Sequence, residues 1–275
     1  MSAEFNPKSP WQYHGCLSAR LSVQMGLQVW KIQQDQKHYV LKFTRSVASA
    51  QIKQAHADEL GFYRQSSTNH FYLDYQILKV EDFKDVDNAM RGFENEGGSE
   101  ILVLPYVTVL QEGSGNSRSV TETFNLFLLI CQKIKALHDW GYIHGDLKLQ
   151  HIFCTEDGVG LLDFAQAQSI TSCDGVLQKG GTPAYMAPEL FIGQAKSIQS
   201  DLYALGIIFY QLMMKIKPYV GNTYEAWAIL HCQQPIPELP QQFKVYQDIL
   251  DGLLAKQKQN RFLNADRLID ALKNI

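Results

Sequence analysis

The spacing of apolar and polar residues divides the chain into two halves with different periods. From Leu17 to Phe43 the apolar residues come in short runs rich in β-branched and aromatic side chains: Ser22-Val23, Val29-Trp30-Lys31-Ile32 and Tyr39-Val40-Leu41-Lys42-Phe43. A polar turn, Gln33 to Lys37, separates the last two. Runs of this kind suit a pleated, half-buried surface and predict an antiparallel meander. From Val47 to Arg64 the period becomes helical, with Ile52, Ala55, Glu59 and Tyr63 on one face. Glu59 is the anomaly on that face. A carboxylate among apolar neighbours is either a rim residue beside solvent or the partner of a cation, and Lys42 ends the best strand pattern. Two further strand candidates, Phe71 to Val80 and Glu100 to Val107, flank an acidic, glycine-rich loop from Asp82 to Ser99. Gln111 to Ser119 reads as another loop.

After Ser119 the pattern is helical to the end. Ser119-Val-Thr-Glu122 has the form of a capping box. Phe124, Phe127, Leu128, Cys131, Ile134 and Leu137 follow at helical spacing, and Gly141 supplies a residue to end the helix. Ser197 to Met214 is apolar nearly all round, which predicts a helix buried on every side. Prolines 218, 235, 237 and 240 punctuate the loops that follow. Phe243 to Leu254 and Asn264 to Leu272 predict two closing helices. The division expected is a flexible arm over residues 1–10, a β-rich lobe over 11–104 and a helical lobe over 105–275, an α+β architecture.

Composition narrows the classes. The chain has 275 residues, 45% hydrophobic and 19% charged, as expected of an ordinary globular protein. A net charge of −3, with no Lys/Arg-rich block, argues against a nucleic-acid binder. Five cysteines with no C-x-x-C pair predict reduced thiols in a cytoplasmic protein and no structural zinc. MSAEFNPKSP does not have the form of a signal peptide, and the apolar run Leu202 to Met214 is too short to span a bilayer.

The chemistry concentrates in His144 to Asp163. Asp146 lies in a polar turn after a long apolar helix, and Lys148 stands two residues on. Asp163 follows the apolar run Val159 to Leu162 and is backed by Phe164. Two acids and a lysine joined by a hairpin-like connection suit a site better than a core.

His144-Gly145-Asp146-Leu147-Lys148, then Asp163-Phe164-Ala165, then Gly181 to Glu189 (GTPAYMAPE), then Asp201 to Gly206 (DLYALG) stand in the order of the eukaryotic-type protein kinase signatures. Val40-Leu41-Lys42 resembles the V-A-I-K strand. The chain thus resembles a divergent member of the Hanks-type protein serine/threonine kinase family, from about Gly15 to Leu272. The resemblance implies a bilobal fold with ATP between the lobes, a protein substrate and Mg²⁺, with Mn²⁺ as the alternative. It implies that Asp146 orients the substrate hydroxyl, Lys148 neutralises the γ-phosphate and Thr182 contacts both. Asp163 would hold the metal, with His151 in the place of its second ligand. Lys42 would hold the α- and β-phosphates and pair with Glu59. Gly26 and Val29 would line the ATP site. Leu104, Pro105 and Tyr106 would meet adenine through the backbone. Phe164, Tyr63 and His144 would join the apolar stack linking the lobes, and Glu189 would pair with Arg261.

The sequence departs from the family at four places. Only Gly26 remains of the glycine-rich loop, Gly145 replaces the arginine of H-R-D, His151 replaces an asparagine, and Ala165 replaces the glycine of D-F-G. Without that arginine, Ser169, Thr171 and Ser172 read as solvent-facing loop hydroxyls rather than as a phosphorylation switch. Imidazole is a poor ligand for Mg²⁺ and a better one for Mn²⁺; the competing reading of His151 is an ordinary hydrogen-bonding residue. Three functions follow: an active protein kinase, a pseudokinase that binds nucleotide or scaffolds, or a small-molecule kinase of the aminoglycoside phosphotransferase type, whose H-G-D run Gly145 echoes. The Ala187-Pro188-Glu189 segment and Lys148 count against the third.

Overall fold

The computed structural model describes residues 4–65, 73–83, 100–111, 118–156, 158–172 and 180–275. The chain forms two compact units, Met1–Val107 and Thr108–Ile275. His70, Cys173, the start of the expected Phe71 strand and most of the two expected loops lie outside the described residues.

The first unit is built on a sheet of β1 (Gln12–Cys16), β2 (Leu27–Gln34), β3 (Lys37–Thr44), β4 (Gln76–Lys79) and β5 (Glu100–Pro105), in the order β1-β2-β3-β5-β4. All its pairings are antiparallel. Register decides what each face carries, because alternate residues point to opposite sides. Val29 pairs with Lys42 and Lys42 with Leu102, so these share one face. Trp30, Ile32, Tyr39, Leu41, Phe43, Ile101 and Val103 occupy the other and form a buried cluster. Helix α2 (Ala50–Gln65) buries His56, Glu59, Leu60, Phe62 and Tyr63.

Two expectations are corrected here. Residues 4–10 are no loose arm. Phe5 is 2% exposed in the cluster of the sheet, with its ring 5.3 Å from Tyr39 and 5.9 Å from Phe83. The Gln76 and Gln34 amides accept from the N–H groups of Phe5 and Asn6, at 3.0 and 2.9 Å. An aromatic anchor and two side-chain amides order a segment that has no periodicity to announce it. Nor is Ser22-Val23 a strand: Arg20–Gln24 is a short helix, α1, between β1 and β2. Gly26 ends it with φ +91°, a conformation glycine adopts freely.

The second unit begins with α3 (Val120–Asp139), capped as the sequence implies. The Ser119 hydroxyl accepts from the Glu122 N–H at 3.2 Å, and the Glu122 carboxylate accepts from the Ser119 N–H at 2.7 Å. Gly141 follows with φ +90°. Short pairs β6 (Tyr142–Ile143) with β9 (Gln168–Ser169), and β7 (Ile152–Thr155) with β8 (Gly158–Leu161), come next. Helices α4 (Pro188–Phe191), α5 (Ile198–Met214), α6 (Tyr224–Gln233), α7 (Gln247–Leu254) and α8 (Ala265–Lys273) complete the unit. α5 is buried without interruption from Ser200 to Met213. Gly206 permits this, since a Cβ there would lie 2.6 Å from Leu254 Cδ2 on α7. α6 has no sequence forecast, because its one buried residue is His231 and no apolar stripe marks it. No helix among the described residues is long and apolar enough to cross a membrane.

His231 is enclosed by the rings of Phe191, Tyr203, Tyr219 and Trp227, with Nδ1 2.9 Å from the Tyr203 hydroxyl. Burial first, then the Lys256 ammonium, push its pKa down to about 3.

Two predictions follow from the packing. Phe5→Ala removes a buried ring and lowers stability by about 3 kcal/mol, measured by urea unfolding; an unchanged midpoint would show the segment to be undocked. Between pH 6.5 and about 3, the unfolded chain binds a proton at His231 that the folded chain does not. Stability is therefore full above the unfolded pKa and falls as pH drops through that window, by at most about 1.4 kcal/mol per pH unit from this group. His231→Phe flattens the slope of stability against pH; an identical slope in the variant would rule His231 out as its source.

Candidate active site

In the first unit, the antiparallel register places Lys42 on the face of the sheet opposite the aromatic cluster. Its ammonium lies 2.7 Å from the Glu59 carboxylate, with side-chain exposures of 9% and 1%. The acid that broke the apolar face of α2 has the cationic partner that burial demands. Val29 is half-buried opposite Lys42, and Leu104 is buried opposite Val40. The Tyr106 N–H donates to the His38 carbonyl at 2.9 Å, and its ring lies under the Lys31 ammonium at 3.7 Å. Pro105 has no N–H, so the Tyr106 N–H held by β3 is the first backbone donor after Leu104. Gly26 packs on Ala48, where a Cβ would fall 2.7 Å from Ala48 Cα. Its freedom serves the turn from α1 into β2.

In the second unit, the turn after β6 carries Asp146. Thr182 donates its N–H to Asp146 Oδ1 at 2.7 Å. Lys148 Nζ lies 3.1 Å from Asp146 Oδ2 and 2.9 Å from Thr182 Oγ1. Both carboxylate oxygens are thus engaged, and the three residues form a closed triangle. A concavity walled by Leu147, Tyr185, Met186 and Leu190 opens beside it.

The β7–β8 hairpin brings the remaining acid close. Its outermost pair is Ile152 with Leu161, and Leu162 donates its N–H to the His151 carbonyl, so His151 and Asp163 end up side by side. His151 Nε2 is 3.4 Å from Asp163 Oδ2. Asp163 holds φ +62°, uncommon for a residue other than glycine and a kind of strain found at functional sites. His151 Nδ1 is 2.9 Å from the Asp146 carbonyl, which can only accept, so Nδ1 carries the proton. Burial pushes the imidazole pKa down to about 4, leaving Nε2 with its lone pair toward Asp163. Two electron-pair donors this close suit a shared divalent cation. Among the described residues there is no group of three or more His, Cys, Asp or Glu that could hold a metal. The remaining ligands would have to come from water or from phosphate oxygens.

Sequence reasoning gave Asp201 no task, yet it supports the turn. It is 2% exposed on α5. Its carboxylate accepts from the N–H groups of His144 at 2.7 Å and Gly145 at 3.0 Å, and lies 2.9 Å from His138 Nε2. Burial raises its pKa, but the hydrogen bond and charge of His138 and the contacts of His144 outweigh this and hold it below the usual carboxylate value. The signal was there to be found: an acid inside an otherwise apolar helix. His144 is fully buried, with Nε2 3.1 Å from the Leu162 carbonyl and its ring 5.4 Å from Phe164. Glu189 and Arg261 form the expected fork, with two N–O distances of 2.7 Å, both residues buried.

The family model for the protein kinase domain matches residues 28–270. The chain belongs to the protein kinase family. This kinase domain is 28% identical over 224 residues to the serine/threonine-protein kinase PknD of Protochlamydia amoebophila, covering 69% of this chain and 22% of that protein. It is 30% identical over 155 residues to the probable serine/threonine-protein kinase PknB of Lactococcus lactis, covering 54% and 25%. It is 32% identical over 136 residues to the mouse serine/threonine-protein kinase Nek3, covering 47% and 25%. The chain therefore spans about a quarter of the length of these relatives. Its fold is similar to that of the Cydia pomonella granulovirus kinase PK-1, with a TM-score of 0.69 at 16% identity over 94% of this chain and 92% of that one.

Asp201→Ala leaves the His144 and Gly145 N–H groups buried without their acceptor. The expected cost is about 3 kcal/mol in urea unfolding, with loss of protection at both amides in hydrogen exchange. Native-like protection at His144 would show that the carboxylate is not what fixes the turn.

Proposed function

We propose that the chain is an ATP-dependent protein kinase domain that transfers the γ-phosphoryl group to serine and threonine hydroxyls of protein substrates. The triangle of Asp146, Lys148 and Thr182 carries this reading. It holds a carboxylate in one orientation beside an ammonium and a small concavity. Phosphoryl transfer demands alignment and charge neutralisation more than covalent chemistry, and this arrangement supplies both. Asp146 would accept a hydrogen bond from the acceptor hydroxyl and direct its oxygen. Lys148 would offset charge on the transferring group. Lys42, oriented by Glu59, would bind the α- and β-phosphates, with Val29 and Leu104 as apolar neighbours of the nucleotide. Asp163 and His151 would hold the divalent cation. When bound, that ion would neutralise the phosphates. The His151 imidazole favours Mn²⁺ over Mg²⁺. The thiols of Cys16, Cys131, Cys154 and Cys232 are unpaired, which suits a reducing compartment such as the cytoplasm.

One observation favours the second reading, a pseudokinase. The connection from β1 to β2 contains α1, and Gly26 packs on Ala48, so this stretch does not offer the glycine-lined approach to phosphates that the family uses.

Labelled ATP with a generic protein substrate separates the two. Transfer to serine or threonine is expected, faster with Mn²⁺ than with Mg²⁺, and Asp146→Asn lowers it by about 100-fold or more. His151→Asn moves the preference toward Mg²⁺, and Mn²⁺ binding followed by electron paramagnetic resonance weakens in that variant. ATP binding without transfer under either metal would establish the pseudokinase instead.

A further inference from the structure

Gly145 stands where the protein kinase pattern has arginine, and the surroundings leave no room for one. Its φ is +76°, in the region that favours glycine. A Cβ at Gly145 would lie 2.3 Å from the Gln166 carbonyl oxygen and 3.2 Å from Lys196 Cδ. The Lys196 side chain runs through the space beside the Gly145–Asp146 turn. The residue is 5% exposed, and its ammonium donates to Gln166 Oε1 at 2.8 Å. Asp146 and Asp201 are the anions that support its charge there, against burial that lowers its pKa. A buried ammonium is costly without such partners.

Gln166 is hemmed in from another side as well. A Cβ at Gly180 would lie 2.4 Å from its Oε1. Gly180 is two residues before Thr182, whose N–H is held by Asp146. Gln166 itself directly follows Asp163-Phe164-Ala165. The residues just after the metal-side acid and those just before Thr182 therefore meet at one amide, and a buried lysine grips it. Two glycines, at 145 and 180, keep the space clear. Ser169 and Thr171, the nearby hydroxyls, bond to each other at 2.9 Å.

We propose that Lys196 is a built-in positioning residue: through Gln166 it fastens the residues around Asp163 and Thr182 to the Gly145–Asp146 turn, so that alignment at Asp146 needs no phosphate on the intervening chain. A phosphate opposite an exposed arginine achieves such order by adding charge. Here the cation is already inside the fold and reaches a neutral amide. The catalytic part of this inference rests on the kinase reading of the site; the tether itself does not.

The test compares the wild-type chain with Lys196→Met and Gln166→Ala, using hydrogen exchange at the Thr182 and Ala167 amides together with steady-state transfer. Both variants are expected to raise exchange at Thr182 about tenfold. Both are expected to lower kcat by about 10- to 100-fold and leave KM for ATP unchanged, while exchange across α5 stays as in the wild-type chain, which general unfolding would not allow. Treating the wild-type chain with a protein phosphatase is expected to change neither measurement. Gln166→Ala keeps the buried ammonium together with Asp146 and Asp201, the anions that support it, and decides the matter if Lys196→Met does not fold. Unaltered exchange and kcat in the variants would overturn the proposal, as would loss of kcat after phosphatase treatment. A wild-type chain with no transfer under Mg²⁺ or Mn²⁺ would end the kinase reading alone, because the exchange measurement still decides the tether.

Discussion

One buried carboxylate organises the second unit. Asp201 sits on a helix surrounded by the core and faces the backbone of the turn before Asp146. Main-chain N–H groups buried there need an acceptor, and a helix residue is a rigid place to put one. His138 from α3 lies against the same carboxylate, so two helices and a turn converge on it. The alignment of Asp146 with Lys148 and Thr182 is built outward from this point. The strain at Asp163 and the ring contacts of His144 are tolerated because the base beneath them is fixed.

The first unit solves a different problem, with one sheet serving two purposes. The face bearing Trp30, Leu41 and Phe43 is closed by Phe5, Trp11 and Phe83, so it is a sealed core. The opposite face carries Lys42 between Val29 and Leu102, and its ammonium is met by Glu59. Because side chains alternate along a strand, a register slip of one residue would exchange the two faces and put Lys42 into the aromatic cluster. The packing of aromatic rings on one side is therefore what keeps the ammonium on the other.

Much of this was legible in the sequence wherever a local pattern had a local cause. The capping box at Ser119, the all-round apolar α5 and the paired Glu59 each follow from nearby residues and elementary energetics. The meander was readable except at α1, where Ser22-Val23 is too short to show a period. What escaped depends on contacts distant along the chain. Phe5 is anchored by Gln76, seventy-one positions away, and Lys196 meets Gln166 thirty positions away. α6 escaped because it buries almost nothing, and its Thr223 cap was the sole cue. Around Asp146 the motifs named residues that the fold brings together, but the Nδ1 proton of His151 and the place of Asp201 beneath the turn required geometry.

The crowding around Gly145 has a consequence for how such a chain can change over generations. Restoring an arginine at this position by a single substitution would drive its side chain into the Gln166 carbonyl and Lys196, on a backbone already at positive φ. An intermediate of that kind is worse than either end state. The lysine and the glycine thus hold each other in place, and departure from the arrangement demands coordinated change at positions far apart in the chain.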